Sequence, residues 1–305
     1  MKKFLLTNIL FFFVIVLIFF ISIFLPVTPK ASNYYLFSKI QKDSLLQHVD
    51  SPRIIFIGGS NLVYGLNSEI IKDSLGFNPI NAGVTATVGL IFMMENTLPY
   101  VKTGDVVVMA PEYQQFYNKF AYGGEDLVRL LFDIDAAGFN KLGKKQWMGV
   151  IKNSPDYFIS KFNPKEYFNV KLNPVYGLDI FNEYGDSNKH WGIGRRDFSP
   201  SKYFTGDFDF TLIEELKNFK EKLQQKGAIL SITYPCYQST SFEINHKQIV
   251  KIESELKKTN IKLLGSAERY KMPDSLMFDT PYHLIKEGVD IRTNLLIEDI
   301  LLYLK

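Results

Sequence analysis

The sequence predicts an α/β domain built on an open, doubly wound parallel sheet and preceded by one membrane-spanning helix. Three observations support this prediction. Five short apolar runs alternate with stretches of helical apolar spacing, a pattern typical of parallel strands joined by crossover helices. The first of these runs is rich in β-branched residues and closes in Gly58-Gly59, as a buried strand does. The first 27 residues, finally, are almost wholly apolar.

The N-terminal segment begins with two lysines and continues as an apolar run from Phe4 to Val27. A helix needs about 20 apolar residues to cross a bilayer, whereas a cleaved signal peptide has roughly 7–15 and ends in a small-residue site. This run ends in Leu25-Pro26-Val27-Thr28, a poor cleavage context, so we predict an uncleaved anchor over residues 1–27. The lysines favour a cytoplasmic N-terminus and a domain outside the cytoplasmic membrane.

We expect residues 28–52 to form a stalk or linker with an amphipathic helix, and residues 53–305 to form the folded domain. The predicted strands are Arg53–Ile57, Pro79–Gly83, Asp105–Met109, Ala228–Tyr234 and Ile261–Leu264. The predicted helices are Ser68–Leu75, Gly89–Tyr100, Glu125–Phe132, Phe210–Lys226, Ile244–Lys258 and Lys286–Leu302. The alternation stops between about 117 and 205, which we interpret as an aromatic-rich insertion without a core of its own.

Charge and cysteine content exclude some classes of function. The chain has 35 basic and 32 acidic residues and no basic stripe, so nothing favours nucleic-acid binding. Its one cysteine, Cys236, cannot form an intramolecular disulfide, and no Cys/His cluster indicates a zinc site. We therefore expect neither a metal nor a cofactor.

The first candidate for chemistry is Ser60, which directly follows the first strand and its two glycines. Ligands of open α/β sheets bind at the carboxyl ends of the strands. A serine there needs a base to become a nucleophile and amide donors to hold an oxyanion. The alternative is an ordinary strand-to-helix turn, where glycine and serine are common for local reasons.

The second candidate is His283, in the segment Asp279-Thr-Pro-Tyr-His283 ahead of the last helix. Of the four histidines, it alone stands in a loop after a predicted strand with an acid close by. A carboxylate beside an imidazole fixes its tautomer and stabilises the imidazolium that forms when it accepts a proton. The alternative is a capping or core histidine.

Taken together, Ser60 in its glycine turn, Asn81-Ala-Gly83 after the second strand and Asp279 to His283 before the last helix resemble the SGNH (GDSL-type) hydrolase superfamily. The resemblance covers about residues 53–116 and 227–305. It implies a three-layer α/β/α sandwich with a flavodoxin-like parallel sheet. It also implies that Ser60 is the nucleophile, His283 the base and Asp279 the group that orients the histidine. The backbone amides of Ser60 and Gly83 would form the oxyanion hole.

Three positions depart from the family pattern. Gly59 stands where the family has an aspartate, and Asp279 precedes His283 by one residue more than usual. Glu112 stands where the family has an asparagine that completes the oxyanion hole, with Gln114 and Asn61 as further candidates for that role. A carboxylate facing an oxyanion repels it unless it is protonated. Either another group fills the position, or the chemistry differs from simple ester hydrolysis.

The single anchor and the altered motifs are most similar to a divergent branch of this superfamily, whose members act in alginate acetylation and in D-alanine transfer to teichoic acids. The likeness implies a membrane-anchored serine esterase or O-acyltransferase of the cell envelope, acting on an acylated surface glycan or lipid beside a membrane-bound O-acyltransferase. The alternative is a catalytically weakened member that binds a surface polymer or such a partner. This expectation rests on fold-level analogy. Trp147, Trp191 and the tyrosines of the insertion are candidates for a sugar-binding wall or for core packing.

Overall fold

The computed structural model describes residues 1–168, 170–171 and 173–304, so residues 169 and 172 of the expected insertion lie outside the described residues. The α-helices are α1 (Lys2–Phe24), α2 (Pro29–Ser32), α3 (Lys39–His48), α4 (Ser60–Val63), α5 (Ser68–Leu75), α6 (Leu90–Thr97), α7 (Glu125–Asp133), α8 (Lys144–Ser160), α9 (Phe210–Gln225), α10 (Ser239–Ile244), α11 (His246–Lys257) and α12 (Lys286–Leu304). The strands are β1 (Arg53–Gly58), β2 (Asn78–Asn81), β3 (Val106–Ala110), β4 (Ile229–Thr233), β5 (Tyr237–Gln238), β6 (Lys262–Leu264) and β7 (Lys271–Met272). Short 3-10 turns connect many of them.

Five of the strands form one sheet in the order β2-β1-β3-β4-β6, and every neighbouring pair in it is parallel. The prediction of an α/β fold with a central parallel sheet is therefore confirmed. Because β2 and β3 flank β1 on opposite sides, the strand order reverses at β1. The carboxyl ends of β1 and β3 meet there, with Gly58 in register with Ala110. The small parallel pair of β5 and β7 was not predicted.

Side chains of the sheet alternate between two apolar clusters. Ile55 and Ile57 of β1 belong to the larger cluster, which also contains residues of α6, α7, α9 and α11. Ile54 and Phe56 belong to the smaller cluster, which contains residues of α5 and α12. Residues two apart share a face of a strand, so both faces of β1 are buried. This is why the strands read as continuous apolar runs in the sequence.

The expectation of a stalk over residues 28–52 is wrong. Leu36 and Leu46 are fully buried in the larger cluster. The Lys42 ammonium is also buried, and it donates to the carbonyls of Asn81 at 3.1 Å and Gly185 at 2.8 Å. The apolar residues of this segment form the face with which α3 packs on the domain. The segment therefore belongs to the folded unit.

The aromatic-rich insertion packs on the same core. Leu127 and Leu131 of α7 and Val150 of α8 lie in one cluster with the side chains of the sheet. Among the described residues, α1 is the helix that is long and apolar enough to cross a membrane. It contacts the domain at α8, where the Phe19 and Phe158 rings pack edge to face with 5.5 Å between their centroids.

Candidate active site

Ser60, His283 and Asp279 form a continuous chain of hydrogen bonds. The Ser60 Oγ lies 2.9 Å from Nε2 of His283, although 223 positions separate the two residues. Nδ1 of the same ring lies 2.8 Å from Oδ1 of Asp279. The four-residue spacing between Asp279 and His283 therefore still lets the carboxylate reach the ring. The three side chains predicted to form the reactive core lie together.

The positions of Ser60 and His283 follow from the fold. Strand β1 ends at Gly58, and Ser60 is the first residue of α4, where a backbone N–H has no intrahelical acceptor. His283 lies in the tight turn before α12. Its carbonyl accepts from the Phe278 N–H at 2.8 Å, and its own N–H donates to the Thr280 Oγ1 at 3.1 Å. The turn thus fixes the imidazole at the carboxyl edge of the sheet, next to the serine.

The electrostatics of Asp279 determine the tautomer of His283. Burial opposes ionisation of Asp279, but the hydrogen bond and charge of His283, and then the Tyr176 hydroxyl, lower its pKa below the ordinary value. An ionised carboxylate only accepts hydrogen bonds, so the imidazole proton lies on Nδ1. Nε2 is then the acceptor for the Ser60 hydroxyl, which is the arrangement that a general base requires.

Tyr176 and Tyr64 also contact the site, and sequence reasoning missed both. The Tyr176 hydroxyl donates to Oδ2 of Asp279 at 2.7 Å. Burial, and then its bond to Asp279, raise the pKa of Tyr176, so it remains a donor. Tyr64 stacks on the His283 ring with 4.3 Å between ring centroids and 30° between planes. Tyr176 lies in the insertion, and the only signal for it in the sequence is that segment's high aromatic content.

His190 stabilises the turn that contains His283. Its Nε2 lies 3.0 Å from the carbonyl of Leu284, and its ring packs against Tyr64 at 5.2 Å. Because a carbonyl can only accept, Nε2 carries the proton. Burial lowers the pKa of His190 to about 4, so the ring is neutral near pH 7. His190 is therefore a fixed donor that holds the residue following His283.

Glu112 lies next to the serine, at the end of β3. Its Oε1 is 3.4 Å from the Ser60 Oγ and 3.3 Å from the Asn61 N–H, and its side chain is buried. Burial raises the pKa of Glu112, while the charge of His283 and hydrogen bonds from Asn61 lower it to a smaller extent. Gln114, the other candidate in this block, approaches Oε2 of Glu112 at 3.5 Å.

Gly59 is what lets Glu112 come so close. A Cβ at this position would lie 2.4 Å from Oε1 of Glu112 and 3.0 Å from the Cβ of Ala86. Both distances are shorter than ordinary van der Waals contact. Gly59 therefore makes room for the carboxyl group of Glu112 beside Ser60.

Two predicted oxyanion donors have partners within the chain. The Gly83 N–H donates to Oδ1 of Asn81 at 3.0 Å. The Asn61 carboxamide donates to the Ala110 carbonyl at 3.1 Å and lies 3.4 Å from the Arg292 guanidinium. The Asn61 side chain is thus held between the end of β3 and α12, while its backbone N–H points to Glu112.

Among the described residues, the remaining candidates are not hydrogen-bonded to Ser60, His283 or Asp279. Cys236 is fully buried, and burial raises the pKa of its thiol to about 12, which keeps it protonated. The Trp147 ring stacks on Phe139 and is 41 % exposed. Trp191 packs against the larger cluster, with the Lys286 ammonium 4.7 Å from its ring centroid.

Together, the site holds a hydroxyl, an imidazole and a carboxylate in the order needed to draw a proton from the hydroxyl. A buried carboxyl group lies beside the same hydroxyl. No protein-family model matches this chain, and no curated protein is significantly similar to it.

Proposed function

We propose that this chain is a membrane-anchored serine esterase or O-acyltransferase of the SGNH (GDSL-type) superfamily, acting on an acylated glycan or lipid of the cell surface. The observation that carries the proposal is the hydrogen-bonded chain from Ser60 through His283 to Asp279. Each pair of atoms in it is within 3 Å. A serine that is only a turn residue has no need of an oriented imidazole at its hydroxyl.

The fold supports the superfamily assignment. Numbered within the sheet alone, its strands run 2-1-3-4-5, the flavodoxin-like order, in which ligands bind where the order reverses. Ser60 follows β1, at that point. Burial of both faces of β1 supports a three-layer α/β/α sandwich.

In the proposed reaction, the Ser60 Oγ attacks the ester carbonyl while Nε2 of His283 accepts its proton. The Asp279 carboxylate stabilises the resulting imidazolium through Nδ1–H. Collapse of the tetrahedral intermediate returns that proton to the leaving alcohol and leaves the acyl group on Ser60. Water or a sugar hydroxyl then attacks the acyl-serine, again with His283 as base, and Ser60 regains its proton.

The N-terminal helix supports the proposed location. With Lys2 and Lys3 on the cytoplasmic side, α1 would hold the domain on the outer face of the cytoplasmic membrane. There it would meet surface polymers and a membrane-bound O-acyltransferase as partner.

A second candidate function is that of a catalytically weakened protein that binds a surface polymer or an acyltransferase. Glu112 favours it, because an ionised carboxylate beside Ser60 would repel an oxyanion. The internal hydrogen bond of the Gly83 N–H favours it also. The intact hydrogen-bonded chain at Ser60 favours catalysis.

Labelling of the full-length protein with a fluorophosphonate, together with turnover of an activated acetyl ester, separates the two functions. We expect Ser60→Ala to abolish both, while Ser44→Ala leaves both unchanged. Ser44 is a matched control, since its hydroxyl also lies near an imidazole, 3.3 Å from Nδ1 of His48, but on an exposed helix face. Undiminished turnover in S60A would refute the proposal. A folded wild-type protein that neither labels nor turns over ester would favour the binding function.

A further inference from the structure

Helix α8 exposes an apolar stripe. Its exposed apolar residues recur every three or four positions and continue into the turn after the helix; they are Trp147, Met148, Ile151, Pro155, Ile159 and Phe162. Residues at this spacing share one side of a helix. From Met148 to Ile159 the stripe is about 16 Å long at 1.5 Å per residue. A continuous exposed apolar surface of this kind marks a contact with a membrane or with another protein.

The stripe is separate from the face with which α8 packs on the domain. Gln146, Val150 and Tyr157 form that inner face and are buried. Lys145, Lys152 and Asp156 lie on a third, polar side of the helix. The exposed apolar residues of the stripe therefore take no part in packing α8 on the domain.

The membrane anchor packs along the edge of this stripe. The ring of Phe158 is covered by Phe19 of α1, and the Lys161 ammonium donates to the carbonyls of Leu25 and Pro26 at 3.4 and 3.3 Å. Phe19 precedes Phe24, the last residue of α1, by five positions, so the contact lies about 7.5 Å below the end of α1 that joins the domain. The C-terminal part of α8 is thus level with the last turns of the anchor.

We infer that α8 is an interfacial helix whose exposed stripe is embedded in the lipid leaflet from which α1 emerges. This inference rests on the proposal that α1 spans the membrane. Helices of this kind bury their apolar face about 5–10 Å into the boundary between headgroups and acyl chains, which agrees with the depth of the Phe19–Phe158 contact. The alternating apolar and polar sides of α8 fit that placement.

Two-point attachment by α1 and α8 has a consequence for the site. A single helix followed by a flexible stalk would leave the domain free to tilt. The segment after α1 is packed into the domain instead, and α8 adds a second lipid contact. The domain then has one orientation over the bilayer, so that Ser60 meets acyl donors and acceptors at a constant height.

Site-directed spin labelling tests the inference in the full-length protein, reconstituted in vesicles of phosphatidylcholine and phosphatidylglycerol. Cys236 is buried, so introduced cysteines can be labelled selectively. Ile151→Cys and Ile159→Cys probe the stripe and Leu17→Cys probes α1. Ile291→Cys is the control, since Ile291 is 38 % exposed on α12, which packs on the opposite face of the sheet.

We expect the accessibility to oxygen, relative to a water-soluble nickel chelate, to be several-fold higher at 151, 159 and 17 than at 291. Lipid exposure at 17 with water exposure at 151 and 159 would overturn the interfacial role of α8 while leaving the anchor intact. Water exposure at all four positions would overturn both.

The two tryptophans provide an independent measurement. Trp191→Phe leaves Trp147, on the stripe, as the only tryptophan, and Trp147→Phe leaves Trp191, away from it. In vesicles of brominated phosphatidylcholine, we expect the fluorescence of W191F to be quenched several-fold more than that of W147F. Equal quenching of the two variants would contradict the inference.

Discussion

Oε1 of Glu112 lies 3.4 Å from the Ser60 hydroxyl and accepts from the Asn61 N–H at 3.3 Å. The amides at the start of α4 are the donors nearest to the serine, and an acyl oxygen on Ser60 would need such donors. The carboxyl group of Glu112 therefore lies close to the place where negative charge would develop. Its protonation state decides whether it helps or opposes the reaction.

Glu112→Gln should increase esterase activity at pH 8. The substitution keeps the shape of the side chain and replaces a group that repels an oxyanion when ionised by one that can donate to it. One oxyanion donor is worth about 10²–10³ in rate, so we expect a rise in kcat/KM of up to about 100-fold. The test is to measure kcat/KM for an activated acetyl ester in the wild-type protein, in E112Q and in E112A.

The advantage of E112Q should shrink as the pH falls. Burial raises the pKa of Glu112, so the wild-type carboxyl group gains its proton at a higher pH than an ordinary glutamate and then also becomes a donor. E112A, which has no donor, should be slower than E112Q at every pH. Identical pH–rate profiles for all three proteins would mean that Glu112 does not face the reacting oxygen.

The same substitution should stabilise the fold at alkaline pH. Because burial raises the pKa of Glu112 above 4.5 in the native state, the folded protein keeps a proton that the unfolded chain has released. Stability then falls as the pH rises from about 4.5 through the raised native pKa, a loss that E112Q escapes. We expect the Tm of E112Q to exceed that of wild type at pH 8 and to match it near pH 4. A Tm difference that is constant with pH would exclude the titration of Glu112 as the cause.

Asp279→Asn and Tyr176→Phe should lower activity to very different extents. In D279N the amide can donate to Nδ1 of His283, which favours the wrong tautomer; the equivalent change in a serine-protease triad costs about 10⁴-fold in kcat. The Tyr176 hydroxyl bonds Asp279 at 2.7 Å and lies 3.3 Å from Nδ1 of His283, and Asp279 keeps its own bond to His283 in Y176F. We expect a loss of about tenfold or less in kcat/KM for Y176F, near the value of one hydrogen bond. A loss as large as that of D279N would mean that Tyr176, and not Asp279 alone, sets the tautomer of His283.

The parts of this molecule that sequence reasoning predicted are those set by local pattern. The central strands β1 and β3 are apolar runs because both of their faces are buried, and the turn residues and helical patterns around the other three sheet strands indicate where those strands lie. Ser60 was recognisable because it lies in a turn that follows a sheet strand. His283 was recognisable because it lies in a turn that precedes a long helix. Such signals lie within about ten residues of the feature that they predict.

The parts that were missed depend on long-range packing. Tyr176 lies 103 positions before Asp279, and nothing in the residues around it distinguishes it from the other tyrosines of the insertion. The sequence of residues 28–52 does not distinguish a stalk from a packed helix, because amphipathic spacing indicates that one face is buried and not what it is buried against. The closeness of Glu112 to Ser60 depends on the missing side chain of Gly59, a relation between two strand ends that sequence order does not contain.

The buried ion pair between Arg53 and Asp105 should be the most sensitive polar contact in the sheet. Nε of Arg53 donates to Oδ1 of Asp105 at 2.9 Å and a second nitrogen contacts Oδ2, while the same guanidinium donates to the carbonyls of Leu46 and Tyr100 at 2.8 Å each. Both side chains are fully buried. Asp105→Asn leaves the guanidinium without a counter-charge and should lower the free energy of unfolding by about 3–5 kcal/mol.

Glu214→Gln is the matched control for this prediction. It breaks the Lys217–Glu214 pair on the exposed side of α9, whose nitrogen and oxygen are also 2.9 Å apart, and exposed pairs contribute only about 0–1 kcal/mol. Urea unfolding of the full-length protein in detergent, followed by far-ultraviolet circular dichroism, measures both variants. If D105N and E214Q lost the same small amount, water or a neighbouring group would have to be compensating Arg53. Since burial is what separates the two pairs, only a large difference between them agrees with the structure.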